Sequence, residues 1–232
     1  MPSLSERNRP IEIWQAELAA WQAYQADCWQ WLAADERRRA AASAPPIRDR
    51  FVLTRGLLRW LLSRHRGCDP AALAFRYGDR GKPYLIDSPW HFNLAHSGEW
   101  ALYVIALRPV GIDVERERPL AVAKLARRFF TPTEAAAIAQ LPAAQQQAAF
   151  FATWTRKEAY LKATGTGLSG LQQVEVSVMP NQPACLRAIA DHPDAAQGWT
   201  LTSWQPAPHY WAALAIAPGP SVPELHHFTL TP

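Results

Sequence analysis

Apolar residues change period along this chain. Val110, Ile112 and Val114 alternate with Gly111, Asp113 and Glu115, a period of two that predicts a strand with one buried face. Over 147–163 the period lengthens. Phe150, Trp154, Lys157 and Leu161 fall at i, i+4, i+7 and i+11, one stripe of a helix. Thr164-Gly165-Thr166-Gly167 follows, and glycine supplies the stop. Thr131-Pro132-Thr133-Glu134 has the form of a capping box opening a helix through about Gln140, and capping alone accounts for Thr131 and Glu134. Arg48, Arg55, Arg59 and Arg66 share one face of an earlier helical pattern. Trp14, Trp21, Trp60 and Trp154 sit in helical apolar patterns, as core residues would. Residues 42–48 read as a loop, and 179–198 as an irregular stretch containing Pro180, Pro183 and Pro193.

The pattern also suggests an internal duplication. Trp100-Ala101, Ile105, Ala106 and Pro109 recur as Trp211-Ala212, Ile216, Ala217 and Pro220, at a constant offset of 111 residues. Both stretches read as strands closed by proline. The boundary then falls near Arg108-Pro109, giving an N-terminal half over 1–108 and a C-terminal half over 109–232.

Side chains two apart on a strand share a face, roughly 6.5–7 Å apart. Asp113 and Glu115 therefore project side by side. They repel unless a cation lies between them, and a hard ion such as Mg²⁺ suits oxygen ligands and phosphates together. Glu158 and Lys162 stand at i, i+4 on the predicted helix beside its aromatic stripe. Read alone, the first segment is equally a strand entering the charged turn Glu115-Arg116-Glu117-Arg118, and the second a surface ion pair. Together they hold three carboxylates and two lysines, the equipment for a magnesium-dependent reaction at a pyrophosphate.

Gly111-Ile112-Asp113-Val114-Glu115 followed by Trp154-x-x-Lys157-Glu158-x-x-x-Lys162 resembles the two signature motifs of the 4′-phosphopantetheinyl transferases, of the larger monomeric type. The likeness continues in order from about residue 35 to 178. It takes in Arg80-Gly81-Lys82-Pro83-Tyr84, Phe92-Asn93-Leu94-Ala95-His96-Ser97-Gly98, Arg127-Arg128-Phe129-Phe130-Thr131-x-x-Glu134 and Gly165-x-Gly167-Leu168-Ser169. Ala95 departs from it, standing where the family often has serine.

The resemblance implies an α+β fold of two similar α/β halves related by a pseudo-twofold, with coenzyme A between them. It implies transfer of 4′-phosphopantetheine from coenzyme A to a serine of an apo carrier protein, leaving 3′,5′-ADP. Asp113, Glu115 and Glu158 would hold Mg²⁺ or Mn²⁺. Glu158 would take the serine proton and Lys162 would assist the leaving group. Coenzyme A would be held by Lys82, Pro83, His96, Ser97, Lys157 and Lys162, with one or more of Arg37, Arg38 and Arg50.

Composition agrees. A chain of 232 residues, 49% hydrophobic, can bury a sizeable core. Net charge is +4, and between Arg37 and Arg66 lie nine arginines and one acid, Asp49. Such a cluster favours a phosphate ligand or an acidic partner such as a carrier protein. Cys28, Cys68 and Cys185 have neither metal nor redox spacing and suit a reducing cytoplasm. No signal peptide or membrane-length apolar run is visible. The expectation is a cytoplasmic monomer that binds neither membrane nor nucleic acid. A basic nucleic-acid-binding module is the rival reading, given a pI near 9.1 and eleven tryptophans. It leaves Asp113 and Glu115 without a reason. An inactive homologue that only binds carriers is a second rival, set against the presence of all three carboxylates.

Overall fold

The computed structural model describes residues 10–190 and 196–232. Strand β1 (Ile11–Glu17) leads through a 3₁₀ segment into α1 (Gln25–Trp31), α2 (Ala34–Ala41) and the long α3 (Pro45–Arg66). Then come β2 (Phe75–Tyr77), β3 (Pro83–Leu85), β4 (His91–Ser97) and β5 (Trp100–Ala106). The second pass runs β6 (Val110–Arg116), α4 (Val122–Phe129), α5 (Pro132–Ala139) and the long α6 (Ala143–Thr164). It continues through β7 (Val174–Val176), β8 (Leu186–Ile189), β9 (Thr200–Trp204) and β10 (Tyr210–Ile216), and β11 (Leu225–Leu230) closes the chain.

The order of elements repeats. β1-β5-β4 form an antiparallel run in one sheet and β6-β10-β9 an antiparallel run in another, and the small sheets β2-β3 and β7-β8 follow the long helices. β11 breaks the division at 108/109, because it leaves the second half and lies parallel to β1 in the first sheet. Side chains alternate across each strand. Ile13, Leu102, Val104, Ile112, Val114 and Leu214 meet in one core between the sheets. The opposite faces carry α3 on one side and α6 on the other. Each long helix spans 22 residues and ends at a glycine in the left-handed region, Gly67 and Gly165.

Several expectations change here. The match at offset 111 is one residue out of register. Glu17 pairs with Trp100 and Arg116 with Tyr210, so Trp100 corresponds to Tyr210, not Trp211. A one-residue slip turns a side chain to the other face. Trp100 and Tyr210 indeed face the inter-sheet core, while Trp211 packs among the helices. Trp14 lies on β1, not a helix, and stacks on Phe228 with ring centroids 4.3 Å apart. Helix α3 begins at Pro45, inside the stretch read as a loop, since proline is accommodated in a first helical turn. The stretch 179–198 contains β8, and residues 191–195 of it lie outside the described residues.

The Arg face is divided: Arg48 and Arg66 at its ends reach solvent, and Arg55 and Arg59 in its middle are buried. Arg59 is 1% exposed, its Nε 2.5 Å from Glu36 Oε2, and Arg55 flanks the same carboxylate. The same device recurs with other residues. Lys157, expected to contact the nucleotide, is 0% exposed and paired with Glu134 at 2.5 Å. Both pairs are 23 residues apart in sequence, and in both the carboxylate also accepts the backbone N–H of the residue before its short helix, Ala33 or Thr131. Glu134 is thus more than a cap. It takes the Lys157 ammonium with one oxygen and the Val176 N–H with the other, and Lys157 also donates to Val174 O.

Removing one member of a buried pair strands the other charge. Lys157→Ala should therefore destabilise the protein by about 3–5 kcal/mol. Arg38→Ala, at an exposed position, should stay within about 0.5 kcal/mol. Urea unfolding midpoints check this, and equal midpoints for the two variants would contradict the clip.

Candidate active site

The site starts at Gly111. A Cβ built there would lie 2.1 Å from Ala159 O and 2.3 Å from Ala163 N. No side chain fits, so the last turns of α6 rest on the backbone of β6. Opposite Gly111 on β10 is Ala215, opposite Asp113 is Ala213, and opposite Glu115 is Trp211. The helix-facing side of the sheet thus grows bulkier from Gly111 towards Glu115. A cleft of about 470 Å³ opens at that end, lined by Asp113, Glu115, Trp154, Glu158 and Lys162 from the second half and by Arg39, Phe51, Thr54, Arg55 and His96 from the first.

Helix periodicity puts Glu158 and Lys162 on one face one turn apart, and that face meets the strand rather than solvent. Lys162 Nζ is 2.6 Å from Asp113 Oδ1, with 29% of the lysine side chain exposed. This pairing runs across to the strand and is not the surface ion pair with Glu158 that the helix segment read alone would also allow. It leaves Asp113 Oδ2 and Glu158 Oε1 buried without a hydrogen-bond partner. Glu115 Oε2 accepts from Ser97 Oγ at 3.1 Å and Arg118 Nη1 at 3.2 Å.

Crowding and burial act on the charges. Burial pushes the Asp113 carboxyl up to about 7, against the pull of Lys162 and with added repulsion from Glu158 and Glu115. Burial also raises Glu158, with Lys162 opposing and Glu115 reinforcing. His96 is lowered by burial, then by Arg50 and Lys162, and so favours the neutral imidazole. Among the described residues, no group of three or more His, Cys, Asp or Glu side chains is gathered closely enough to hold a metal ion, and Asp113, Glu115 and Glu158 are no exception.

The cleft brings together Asp113, Glu115, Glu158, Lys162 and His96. Lys82 and Pro83 line a smaller adjoining cavity that shares Glu158 and Lys162. Lys82 Nζ donates to Val110 O at 3.0 Å and Ala163 O at 2.9 Å, and burial lowers it to about 8. Arg50 lines a neighbouring cavity beside the Gly98 turn. Ser97 engages Glu115 and the Arg116 N–H. Two expected phosphate ligands lie elsewhere. Arg37 donates to the carbonyls of Trp29 and Gln30, and Arg38 is exposed and does not line the cleft. Arg39 lines it instead, one helical position further on, a phase that the continuous Arg37-Arg38-Arg39 run conceals. Ala95, where the likeness departs, is buried against the inter-sheet core and also borders the cleft, where it offers no hydroxyl.

The architecture is mixed α+β, with acidic and basic side chains brought together in a cleft between its parts, and comparison with known proteins gives it a family. A profile of the 4′-phosphopantetheinyl transferase superfamily matches residues 109–215. The chain is 36% identical to "4′-phosphopantetheinyl transferase HetI" of Nostoc sp., over 98% of this chain and 96% of that one. It is 31% identical to "4′-phosphopantetheinyl transferase Sfp" of Bacillus subtilis, covering 75% and 76%. The chain belongs to the 4′-phosphopantetheinyl transferase superfamily.

The Asp113 carboxyl gives a pH signature. Its pKa is raised on folding from 3.8 to about 7. The folded state therefore holds this proton more tightly, and the stabilisation is complete below the unfolded value and lost as pH rises through about 7. Asp113→Asn should gain stability relative to wild type at pH 8 and gain little at pH 4, measured by urea unfolding in chelator. Parallel pH curves for the two proteins would contradict the burial argument.

Proposed function

We propose that this chain transfers 4′-phosphopantetheine from coenzyme A to a serine hydroxyl of an apo carrier protein, releasing the holo carrier and 3′,5′-ADP. The observation that carries the reading is the convergence of Asp113, Glu158 and Lys162 in one cleft of a chain that belongs to this superfamily. The serine oxygen attacks the phosphorus bonded to pantetheine, and the bond from that phosphorus to the bridging oxygen breaks. Glu158, half-buried with a raised pKa and one oxygen unengaged, is placed to accept the serine proton. Lys162, one helical turn on, stabilises charge developing on the departing 3′,5′-ADP. Arg39 and His96 line the cleft from the first half and suit the nucleotide phosphates, with Lys82 and Pro83 at the adjoining cavity.

Asp113, Glu115 and Glu158 would hold a divalent cation, Mg²⁺ or Mn²⁺. The two unengaged buried oxygens, one on Asp113 and one on Glu158, are the observation that fits such an ion. When bound, it supplies charge neutralisation at the pyrophosphate. The Lys162 ammonium on Asp113 then stands where positive charge is wanted.

The partner is an acidic carrier protein or domain, in keeping with the +4 net charge. The halves 1–108 and 109–232, related by a pseudo-twofold and tied by β11 of the second half in the sheet of the first, act as one monomer. Free exposed thiols at Cys68 and Cys185 suit a reducing cytoplasm. No helix among the described residues is long and apolar enough to cross a membrane. A nucleic-acid module is disfavoured because Arg55 and Arg59 pair with buried Glu36 rather than forming an exposed basic face.

Glu158→Gln and Lys162→Ala should each lower kcat for transfer of labelled pantetheine by at least about 10²-fold. The double variant should lose far less than the product, because both act in one transition state. EDTA should abolish transfer, and added Mg²⁺ or Mn²⁺ should restore it. Near-normal turnover in either variant would refute the assignment.

The first-half side of the cleft has its own test. Arg39→Glu should raise the KM for coenzyme A more than it lowers kcat, and Arg38→Glu should leave that KM within about twofold, the effect expected of a screened exposed charge. Equal effects of the two reversals would remove Arg39 from the nucleotide site.

A further inference from the structure

Strand β6 has one paired edge and one open one. It pairs with β10, and among the described residues no strand is hydrogen-bonded to its other side. In an antiparallel ladder, the N–H and C=O of one residue point to the same edge. The Ile112 and Arg116 N–H groups and the Val110 carbonyl all point to the open edge, where each is met by a side chain of the first half. Asn93 Oδ1 accepts Ile112 N–H at 2.9 Å, Ser97 Oγ accepts Arg116 N–H at 3.1 Å, and Lys82 Nζ donates to Val110 O at 3.0 Å. The two β4 contacts span 19 residues each, so β4 and β6 run alongside in the same direction with a side-chain rung in place of a backbone ladder. Strand alternation puts Asn93, Ala95 and Ser97 on one face of β4.

We infer that Asn93 is a positioning residue for transfer: its carboxamide oxygen replaces a neighbouring strand's carbonyl at the buried open edge of β6 and fixes the Gly111–Ile112 peptide, immediately before Asp113. The inference rests on the reading above that Asp113 and Glu115 hold the divalent cation. Gly111 and Asp113, the residues on either side of Ile112, are constrained from two other directions, by α6 on one face and β10 on the paired edge. Asn93 closes the third. Ser97 extends the clasp, since its hydroxyl accepts from Arg116 N–H while donating to Glu115 Oε2. Asn93 is largely buried and borders the small cavity lined by Lys82 and Pro83, so an Ile112 N–H left without its acceptor loses a hydrogen bond that only water in that cavity could replace.

The test compares Asn93→Leu, which keeps the size and removes the acceptor, with Asn93→Asp, which keeps an acceptor oxygen. In metal-free protein, amide hydrogen exchange at Ile112 should speed at least about tenfold in Asn93→Leu and stay near wild type in Asn93→Asp. Mn²⁺ binding, read by paramagnetic resonance, should weaken about 10–100-fold in Asn93→Leu, the usual loss when a group that orients a metal ligand is removed. The KM for coenzyme A at saturating metal should stay within about twofold. Unchanged Ile112 exchange, or unchanged Mn²⁺ affinity, overturns the proposal. So does a raised coenzyme A KM with normal metal affinity, which would make Asn93 a nucleotide contact. If Asn93→Leu does not fold, Asn93→Ser, too short to reach, takes its place. Should Asp113→Asn retain full Mn²⁺ affinity, the metal reading falls, and Ile112 exchange still decides whether the clasp exists.

Discussion

The absence of any side chain between Gly111 and the last turns of α6 sets the geometry of the site. Backbone rests on backbone there, with Ala159 O and Ala163 N at the position a Cβ would take. A helix so close at one end of a strand, and held off by Trp211 and Glu115 at the other, must open a wedge. The wedge is the cleft, and its sides are the strand face with Asp113 and Glu115 and the helix face with Glu158 and Lys162. An added methyl group at 111 would have to separate the two elements, and overpacking of this kind costs about 1–3 kcal/mol even where the neighbours can move. Here both neighbours are backbone, so the shift would travel directly to Asp113 and Lys162.

Two buried clips keep the long helices from moving against this constraint. Arg59 in α3 and Lys157 in α6 each reach a carboxylate at the start of a short preceding helix, Glu36 or Glu134. Each cation also reaches carbonyls beyond its own helix, Pro70 and Leu73 for Arg59 and Val174 for Lys157. A buried ion pair is a poor source of net stability, but it fixes registry, because misplacement leaves charges unpaired. Lys157 precedes Glu158, so the clip sets the rotation of α6 at the residue where rotation matters to the reaction. The stripe that runs through Phe150, Trp154, Lys157 and Leu161 faces the interior, and Glu158 turns from it into the cleft.

Much of this was legible locally. The alternation in β6 and the glycine stop of α6 are short-range patterns, and both elements form where those patterns lie. The placing of Asp113 beside Lys162 was not, since it depends on Gly111 admitting the helix from 49 residues away. Lys157 carried a signal that the family likeness overrode. A cation in the middle of an aromatic stripe needs a buried partner, and Glu134 waits 23 residues earlier, as Glu36 does for Arg59. Trp14 shows the converse. Its neighbours Ile11 and Ile13 alternate, but the strand is completed by β11 from the far end of the chain, which no local window contains. Asn93 is similar, because the open edge that it serves exists only once the two sheets meet.

The site is left electrostatically unfinished, and that bears on how it can work. Asp113 and Glu158 each keep a buried oxygen without a hydrogen-bond partner, and of the structural carboxylates Glu36 shares that state, its free oxygen lying 3.5 Å from the Arg55 guanidinium. Glu134, the comparison within the same helix layer, has both oxygens engaged by N–H groups or an ammonium. Folding tolerates the shortfall because Lys162 neutralises one side of Asp113 and burial favours the protonated carboxyl near pH 7. The same burial would make any positive charge entering the cleft bind more strongly than it would to exposed carboxylates. An arrangement poorly satisfied on its own is thus preorganised for a ligand that carries cations and phosphates together, with the cost of gathering like charges already met during folding.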